Sequence, residues 1–326
     1  MPYTPMASVI ICSLNGADRL PMCFEALAKT TYRNHEIILV DNGSTDGTSE
    51  VAARWPRVRL LRADRNLGFA GGNNLGLRQA RGDFFVLLND DTEVEPGWLE
   101  PLAEAAMTLP DWGLLGCLLI YPDRKTVQHA GAWIEPNGLT QHFGYGEPVP
   151  EIDLPVRRVP YVTGAALVIN RFLLGLLGPL DEAFWPIYFE ETDLCWRAAE
   201  IGYASHLVPA SRVVHHESMT TDRLSPGFLR KYHRNRWRFM IKNFSRRELV
   251  RAIRAEIRWL RGHRPSDHYL PLLTALLSTL IHLPGLLMTR LRSRRRLWWI
   301  RRRLGTRRRD PWEPMPSPLS PEAKPT

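Results

Sequence analysis

The run Phe84-Phe85-Val86-Leu87-Leu88 is apolar at every position, and a strand with two apolar faces belongs inside a sheet covered on both sides. Just beyond it stand two acids, Asp90 and Asp91. Ligand sites of open α/β sheets lie past the carboxyl ends of such strands. An unpaired buried charge costs too much for these carboxylates to be core filler. They form either a solvated turn leading to a helix near Pro96-Gly97-Trp98, or one wall of a site for a hard divalent cation.

Strand-like and helix-like segments alternate around this run. Ser8 to Cys12 reads as a buried strand, and Arg19 to Thr30 carries helical spacing (Leu20, Phe24, Leu27). Glu36 to Val40 is a second strand, Val58 to Leu61 a third, and Gly71 to Ala80 a further helix. This order predicts an α/β domain whose central sheet is mostly parallel, Rossmann-like, with helices on both faces. The 326 residues suffice for one large domain and an appendage, and an apolar share of 44% provides the core. Four scattered cysteines without a CxxC pair argue against structural zinc or a disulfide framework and suit a reducing compartment. No basic segment precedes an apolar run at the start, so no secretory signal is expected.

The strand ends gather polar loops. Asp41 closes the second strand, and with Asn42 it offers groups for a nucleobase edge or ribose hydroxyls. Asn42-Gly43 also suits a turn, and Ser44, Thr45 or Asp46 a helix cap. Asn66 to Asn74 is glycine-rich and opens a helix, which exposes backbone N–H groups to a nucleotide. Neither GxxxxGK[ST] nor a GxGxxG after the first strand is present, which disfavours a plain ATPase or a dinucleotide enzyme.

Six blocks in order, SVIICSLNGADRL, EIILVDNGSTDGT, NLGFAGGNNLGL, FFVLLNDDTEV, TGAALVINR and FEETDLCWRAAEIG, resemble the family-2 glycosyltransferases, inverting nucleotide-sugar enzymes of the GT-A fold. The look is that of the bacterial branch with rhamnosyltransferases and galactofuranosyltransferases of envelope polysaccharides. The resemblance covers about residues 6 to 220. It implies that Cys12, Leu14, Asp41 and Asn42 line the nucleobase pocket, with Asn66, Gly68 and Asn73 near the ribose and donor sugar. By the same likeness Asp90 lies near the donor, and Asp91 and His215 hold the metal. The second acid of the FEETD block acts as base in the family and is usually Asp; here it is Glu191. Glu190 therefore stays open as an alternative, and Asp193 is either a third acid of the site or an i,i+4 partner of Arg197. Thr163 and Gly164 stand on the acceptor side, and Trp185 either stacks on a sugar or packs inside.

The chemistry follows from the reactants. Charge grows on the nucleoside diphosphate as the glycosidic bond breaks, so Mn²⁺ or Mg²⁺ on Asp91 would stabilise it, with a histidine ligand favouring Mn²⁺. Inversion requires a base on the opposite face of the sugar. The expected partners are a nucleotide-diphosphate sugar, dTDP-rhamnose first and a UDP-sugar next, and a saccharide or polyprenyl-linked acceptor. Two other readings are a sugar nucleotidyltransferase and an inactive sugar-binding scaffold. The first expects a glycine-rich loop where Cys12-Ser13-Leu14-Asn15 stands. Against the second, every acidic position the reaction needs is filled.

Domain boundaries are expected at 1–245 for the catalytic domain, 246–310 for a basic, apolar helical region, and 311–326 for a disordered Pro-rich tail. Eleven Arg between Arg290 and Arg309, with no acid, take the net charge of +9 to −2 for the remainder. Tyr269 to Met288 is long enough to span a bilayer but is interrupted by Pro271, His282 and Pro284 and is basic on both flanks. A helical pair lying on an anionic membrane surface is expected, on the cytoplasmic side and peripheral. The apolar stretch beside the arginines excludes nucleic acid as the partner.

Overall fold

A computed structural model describes residues 3–151, 154–216, 225–262, 266–310, 312 and 317–319. The first half alternates as the periodicity predicts: β1 (Ala7–Ser13), α1 (Leu20–Ala28), β2 (His35–Asp41), α2 (Thr48–Ala53), β3 (Val58–Arg62), α3 (Gly68–Gln79) and β4 (Phe84–Leu88). There follow β5 (Thr92–Val94), α4 (Leu99–Thr108), β6 (Trp112–Ile120) and the short strands β7 (Val127–His129), β8 (Ala132–Ile134), β9 (Thr140–His142) and β10 (Arg157–Val159). The body closes with β11 (Ala166–Asn170), α5 (Arg171–Leu177), α6 (Glu190–Glu200) and β12 (Ala204–His215). Helices α7 (Pro226–Asn243), α8 (Arg246–Gly262), α9 (Ser266–Ile281) and α10 (Leu283–Leu304) complete the order.

The sheet runs β10-β12-β6-β11-β4-β1-β2-β3, with β5 on β12 and β7 on β6. Strands β3, β2, β1, β4, β6 and β12 point one way, and β11 lies antiparallel between β4 and β6. Alternation along each strand divides the core between two faces. Val9, Ile11, Leu39, Val86 and Leu88 pack towards α1 and α4, whereas Ile10, Ile38, Val40, Phe85 and Leu87 pack towards α3, α6 and α7. This explains why β4 is apolar throughout: each face is buried under helices.

Helices α7 to α10 are not a loose appendage. Arg236 on α7 is fully buried and holds Glu256 on α8 at 2.6 and 3.0 Å, while Asn137 reaches the same carboxylate at 3.1 Å. Thus the break expected at residue 245 falls inside one packed unit, because a buried guanidinium requires its counter-charge. Much of the arginine segment is likewise bound to the body. Arg308 meets Glu200 at 2.7 Å and Glu248 at 2.9 Å, Arg296 donates to the Leu176 carbonyl at 2.9 Å, and Arg309 pairs with Asp111. Trp312 packs against Trp196 and Phe244, and Leu319 is partly buried against the core, so these parts of 311–326 are not the loose tail that their composition suggests. The rest of that segment, apart from residues 317–318, lies outside the described residues.

Candidate active site

The carboxyl ends of β1, β2, β4 and β12 converge. Pairing of β5 with β12 sets His215 opposite Thr92, and the His216 N–H donates to the Asp91 carbonyl at 2.9 Å. This register holds the His215 ring over the Asp91 carboxylate, Nε2 to Oδ1 3.2 Å. Gln128 fixes the tautomer: its Nε2 donates to the His215 carbonyl at 3.3 Å, so its Oε1 accepts the Nδ1 proton at 2.6 Å. Nε2 is left with a lone pair facing Asp91 Oδ1, with the Asn89 amide 3.3 Å away. Asp91 Oδ1 is buried without a hydrogen bond; with a proton on Nε2 the two form an ion pair, and with the imidazole neutral they offer two lone pairs to a shared metal cation. Adjacent ligands on an octahedral ion with bonds of about 2.1 Å stand about 3 Å apart, so the pair fits one edge of a Mn²⁺ or Mg²⁺ shell. Among the described residues no third His, Cys, Asp or Glu completes a cluster; oxygens of substrate and water would fill the remaining positions. Burial pushes the Asp91 carboxyl up, and His215 with Arg19 more than reverses this, holding it below the usual range.

Asp90 turns the other way. Ser13 Oγ donates to it at 2.5 Å and Arg19 Nη2 at 3.0 Å; burial still pushes its carboxyl up against both donors. Gly16 lets Ser13 and Asp90 meet, since a Cβ there would lie 2.0 Å from Ser13 Oγ and 2.6 Å from Asp90 Oδ2.

The residues expected to take the nucleotide come together beside this turn. Asn42 accepts from the Leu67 N–H at 2.9 Å and donates to the Gly68 carbonyl at 3.2 Å, while Asn66 Oδ1 accepts from the Gly68 N–H at 2.8 Å. The Asn42 amide therefore shapes the 66–68 loop and is already engaged there. Cys12 Sγ would stand 2.2 Å from a Cβ on Gly72, which is how α3 approaches β1 so closely. Asp41 is buried; burial pushes its carboxyl up, but bonds from Ser49 and Ser44 and the charge of Arg62 leave it below the usual range. Asn73 is buried with its amide on the Phe69 carbonyl at 3.0 Å, and Leu14 is exposed. Gly68 adopts φ +74° beside Trp185, whose ring atom Cδ1 lies 2.7 Å from the missing Cβ. Trp185 is 51% exposed, so it is not core packing.

The three acids at the start of α6 differ sharply. Tyr188 and Phe189 both hold positive φ, +84° and +78°, a strained entry for non-glycine residues that turns the helix start towards a cavity of about 270 Å³. Glu191 lines that cavity with Thr140, His142, Tyr161, Thr163 and Tyr232. Burial pushes its carboxyl up to about 7. Gly164 stands beside it, a Cβ there reaching 3.9 Å from Glu191 Cγ and 3.0 Å from the Phe69 ring. Glu190 is fully enclosed, and burial followed by the charge of Glu191 holds its carboxyl well above the usual range. Asp193 is bound by Arg197 at 2.7 Å, Lys242 at 2.8 Å and Asn243 at 2.9 Å, so it serves the i,i+4 pair and the docking of α7. Gln128, Ser13, Arg19, His142, Tyr161 and Tyr232 escape sequence reasoning. Their partners lie far along the chain, and only the aromatic density of 184–189 and 228–237 hinted at a cavity wall.

The site stands in a domain with known relatives. Residues 8–149 match the model of Glycosyl transferase family 2. The chain is 34% identical over 230 residues to an uncharacterized protein, y4gI, of Sinorhizobium fredii; the match takes in 67% of this chain but spans only 25% of that relative's length. It is 29% identical over 287 residues to the N-acetylglucosaminyl-diphospho-decaprenol L-rhamnosyltransferase of Mycobacterium tuberculosis, covering 79% of this chain and 90% of the relative. In fold it is similar to a crystal structure of GalNAc-T7 with UDP, GalNAc and Mn²⁺, with a TM-score of 0.60 and 19% identity over 74% of this chain and 48% of that one. The strand order, the GT-A architecture and the family match agree: residues 8–149 of this chain belong to a family 2 glycosyltransferase domain.

Proposed function

We propose that the chain moves a sugar, with inversion, from a nucleotide-diphosphate donor to a hydroxyl of a saccharide or polyprenyl-linked acceptor in cell-envelope polysaccharide synthesis. The observation that carries this reading is the pairing of two sites of opposite character. Asp91 and His215 offer a cation edge at 3.2 Å, and Glu191, at about 7, lines a cavity of hydroxyl-bearing side chains. Asp91 and His215 would hold Mn²⁺ or Mg²⁺, which when bound neutralises charge on the departing diphosphate. Glu191 takes the acceptor proton, because an acid near 7 is both ionised and basic enough at neutral pH. The donor carries dTDP-rhamnose as first choice and a UDP-sugar as next; the name of the Mycobacterium tuberculosis relative supports rhamnose and a diphosphate-linked lipid acceptor. Melting shifts with dTDP-, UDP- and GDP-sugars and Mn²⁺ test the donor, and transfer at full rate in chelator overturns the metal assignment.

The enzyme works peripherally, on an anionic cytoplasmic membrane surface. Among the described residues no single helix is long and apolar enough to cross a membrane; α9 and α10 form a pair bent by 70°. Their inner sides pack on the body through Leu272, Ala275, Leu286 and Leu297, while Leu273, Leu277, Leu280, Leu287 and Leu291 are exposed. Arg292, Arg295, Arg302, Arg303 and Arg307 are exposed as well, each contributing about 1 kcal/mol near anionic lipid. Salt should release part of the bound enzyme. Resistance to both salt and alkaline carbonate washing would overturn the peripheral reading.

A further inference from the structure

Arg230, Arg234 and Arg238 follow one another at i, i+4 and i+8 along α7. Such spacing puts them in one row, about 6 Å of helix rise per step, where like charges oppose helix formation. Among the described residues none of the three forms an ion pair with a carboxylate. Arg234 donates to the Trp185 carbonyl and to Asn235 Oδ1 at 3.3 Å, both neutral acceptors. The acids nearest Arg238, Asp181 and Asp193, are already claimed by Lys242 at 2.7 and 2.8 Å. Burial, then Arg238 and Arg230, lowers the proton affinity of Arg234, as uncompensated neighbouring cations must. Two buried arginines of the same region are paired, Arg236 with Glu256 and Arg197 with Asp193.

The place of the row is specific. Asn235, between two rungs, donates to the Ile187 and Tyr188 carbonyls at 3.0 and 3.1 Å, locking α7 to the 184–188 loop. That loop touches the donor side, where the Phe69 N–H donates to the Pro186 carbonyl at 2.8 Å. On the same helix Phe228 and Tyr232 line the Glu191 cavity. Through Arg234 the row passes the donor-side loop, on the face of α7 opposite Phe228 and Tyr232. Guanidinium forks bind phosphoryl oxygens in pairs, and a row of cations without counter-ions, Arg230 exposed and Arg234 and Arg238 half-buried, is complementary to a compact polyanion.

We infer that Arg230, Arg234 and Arg238 form a diphosphate-binding rail, separate from the Asp91–His215 edge. The identity of its ligand rests on the proposed glycosyl transfer: the diphosphate belongs either to the nucleotide leaving group or to the link between acceptor sugar and lipid.

Calorimetric titration of the full chain with inorganic pyrophosphate, in chelator, tests the rail. Wild type should bind, more weakly as salt rises, and R230Q/R238Q should lose at least tenfold in affinity. R230K/R238K, which keeps the charges but loses the paired donors, should fall between the two. Removal of unpaired like charges should leave the melting temperature of R230Q/R238Q unchanged or raised, whereas a purely structural pair of arginines would lower it. Repeating the titration with dTDP and with farnesyl diphosphate separates the sources: a loss confined to dTDP assigns the rail to the donor, and one confined to farnesyl diphosphate assigns it to the acceptor. Equal pyrophosphate affinity in folded wild type and R230Q/R238Q overturns the inference. D91A that still transfers sugar would sink the metal assignment and leave the pyrophosphate titration standing, so the two failures can be told apart.

Discussion

Asp91 and Glu191 are both enclosed acids at the edge of one sheet, and their surroundings drive them apart. Asp91 sits under an imidazole that Gln128 orients, with Arg19 near, and stays charged. Glu191 has a weak hydroxyl contact at 3.5 Å from Thr192 and no cation bonded to it among the described residues, so burial dominates and its carboxyl moves to about 7. Two residues further along α6, Asp193 has burial of the same kind but three cationic or amide donors, and it is held below the usual range. Burial alone therefore does not decide what an acid does. Its bonded partners do: paired acids hold cations or helices in place, and the unpaired one is left able to exchange a proton.

The largest effect should come from the charged side. D91A removes one of the two proposed protein ligands, and with several kcal/mol of charge stabilisation gone, transfer should fall by about 10³-fold or more; steady-state transfer with Mn²⁺ measures it. On the other side, E191Q keeps the shape and loses the basic site, so transfer should fall by about 10²–10⁴-fold while dTDP or UDP binding persists. A full loss in E190Q with E191Q spared would reverse the assignment of these neighbours. D193A should act on stability first. It strands Lys242 and Arg197 without their counter-charge, a cost of about 3–5 kcal/mol, read as a lower melting temperature. An unchanged melting point would break the contrast between Asp193 and Glu191.

The smallest effect sharpens the contrast through pH. The folded Glu191 carboxyl titrates near 7 and an unfolded one near 4.5, so the folded state keeps an additional proton between those values. Stability then declines as pH rises through that window. Gln carries no such proton. E191Q should thus melt a few degrees above wild type at pH 8 and level with it at pH 4.5. The rate should also rise with pH along a limb centred near 7, and a flat limb would show that Glu191 is not the titrating base.

Much of the first half was legible in the sequence because its signals are local. The strand Phe84–Leu88 is found where its apolar run ends, and Asp90 and Asp91 follow at its carboxyl end. Helix α3 begins at Gly68, three residues before the expected Gly71, because Asn66 and Asn42 organise its first turn from outside. The second half was less legible because its determinants are pairings across distance. Nothing near Gln128 signals that it orients a ring 87 residues away, and no local pattern shows that β11 enters between β4 and β6. The arginines from 290 onward read as a free basic tail by composition. Their carboxylate partners Glu200, Glu248 and Asp111 are visible only once the chain has folded back.

The antiparallel insertion of β11 sets a schedule for synthesis. Strands β1 to β4 can pair as soon as residue 88 is made, but the outer edge of β4 is completed only by Ala166–Asn170. At about 5–20 residues per second, five apolar residues with open backbone groups wait on the order of 4–16 s beside the ribosome. An uncovered apolar edge is a template for pairing with another chain. Slow translation between residues 89 and 165 would lengthen that interval, so yield of soluble protein should depend on elongation rate there more than within the first 80 codons, and on chaperones that shield a strand edge.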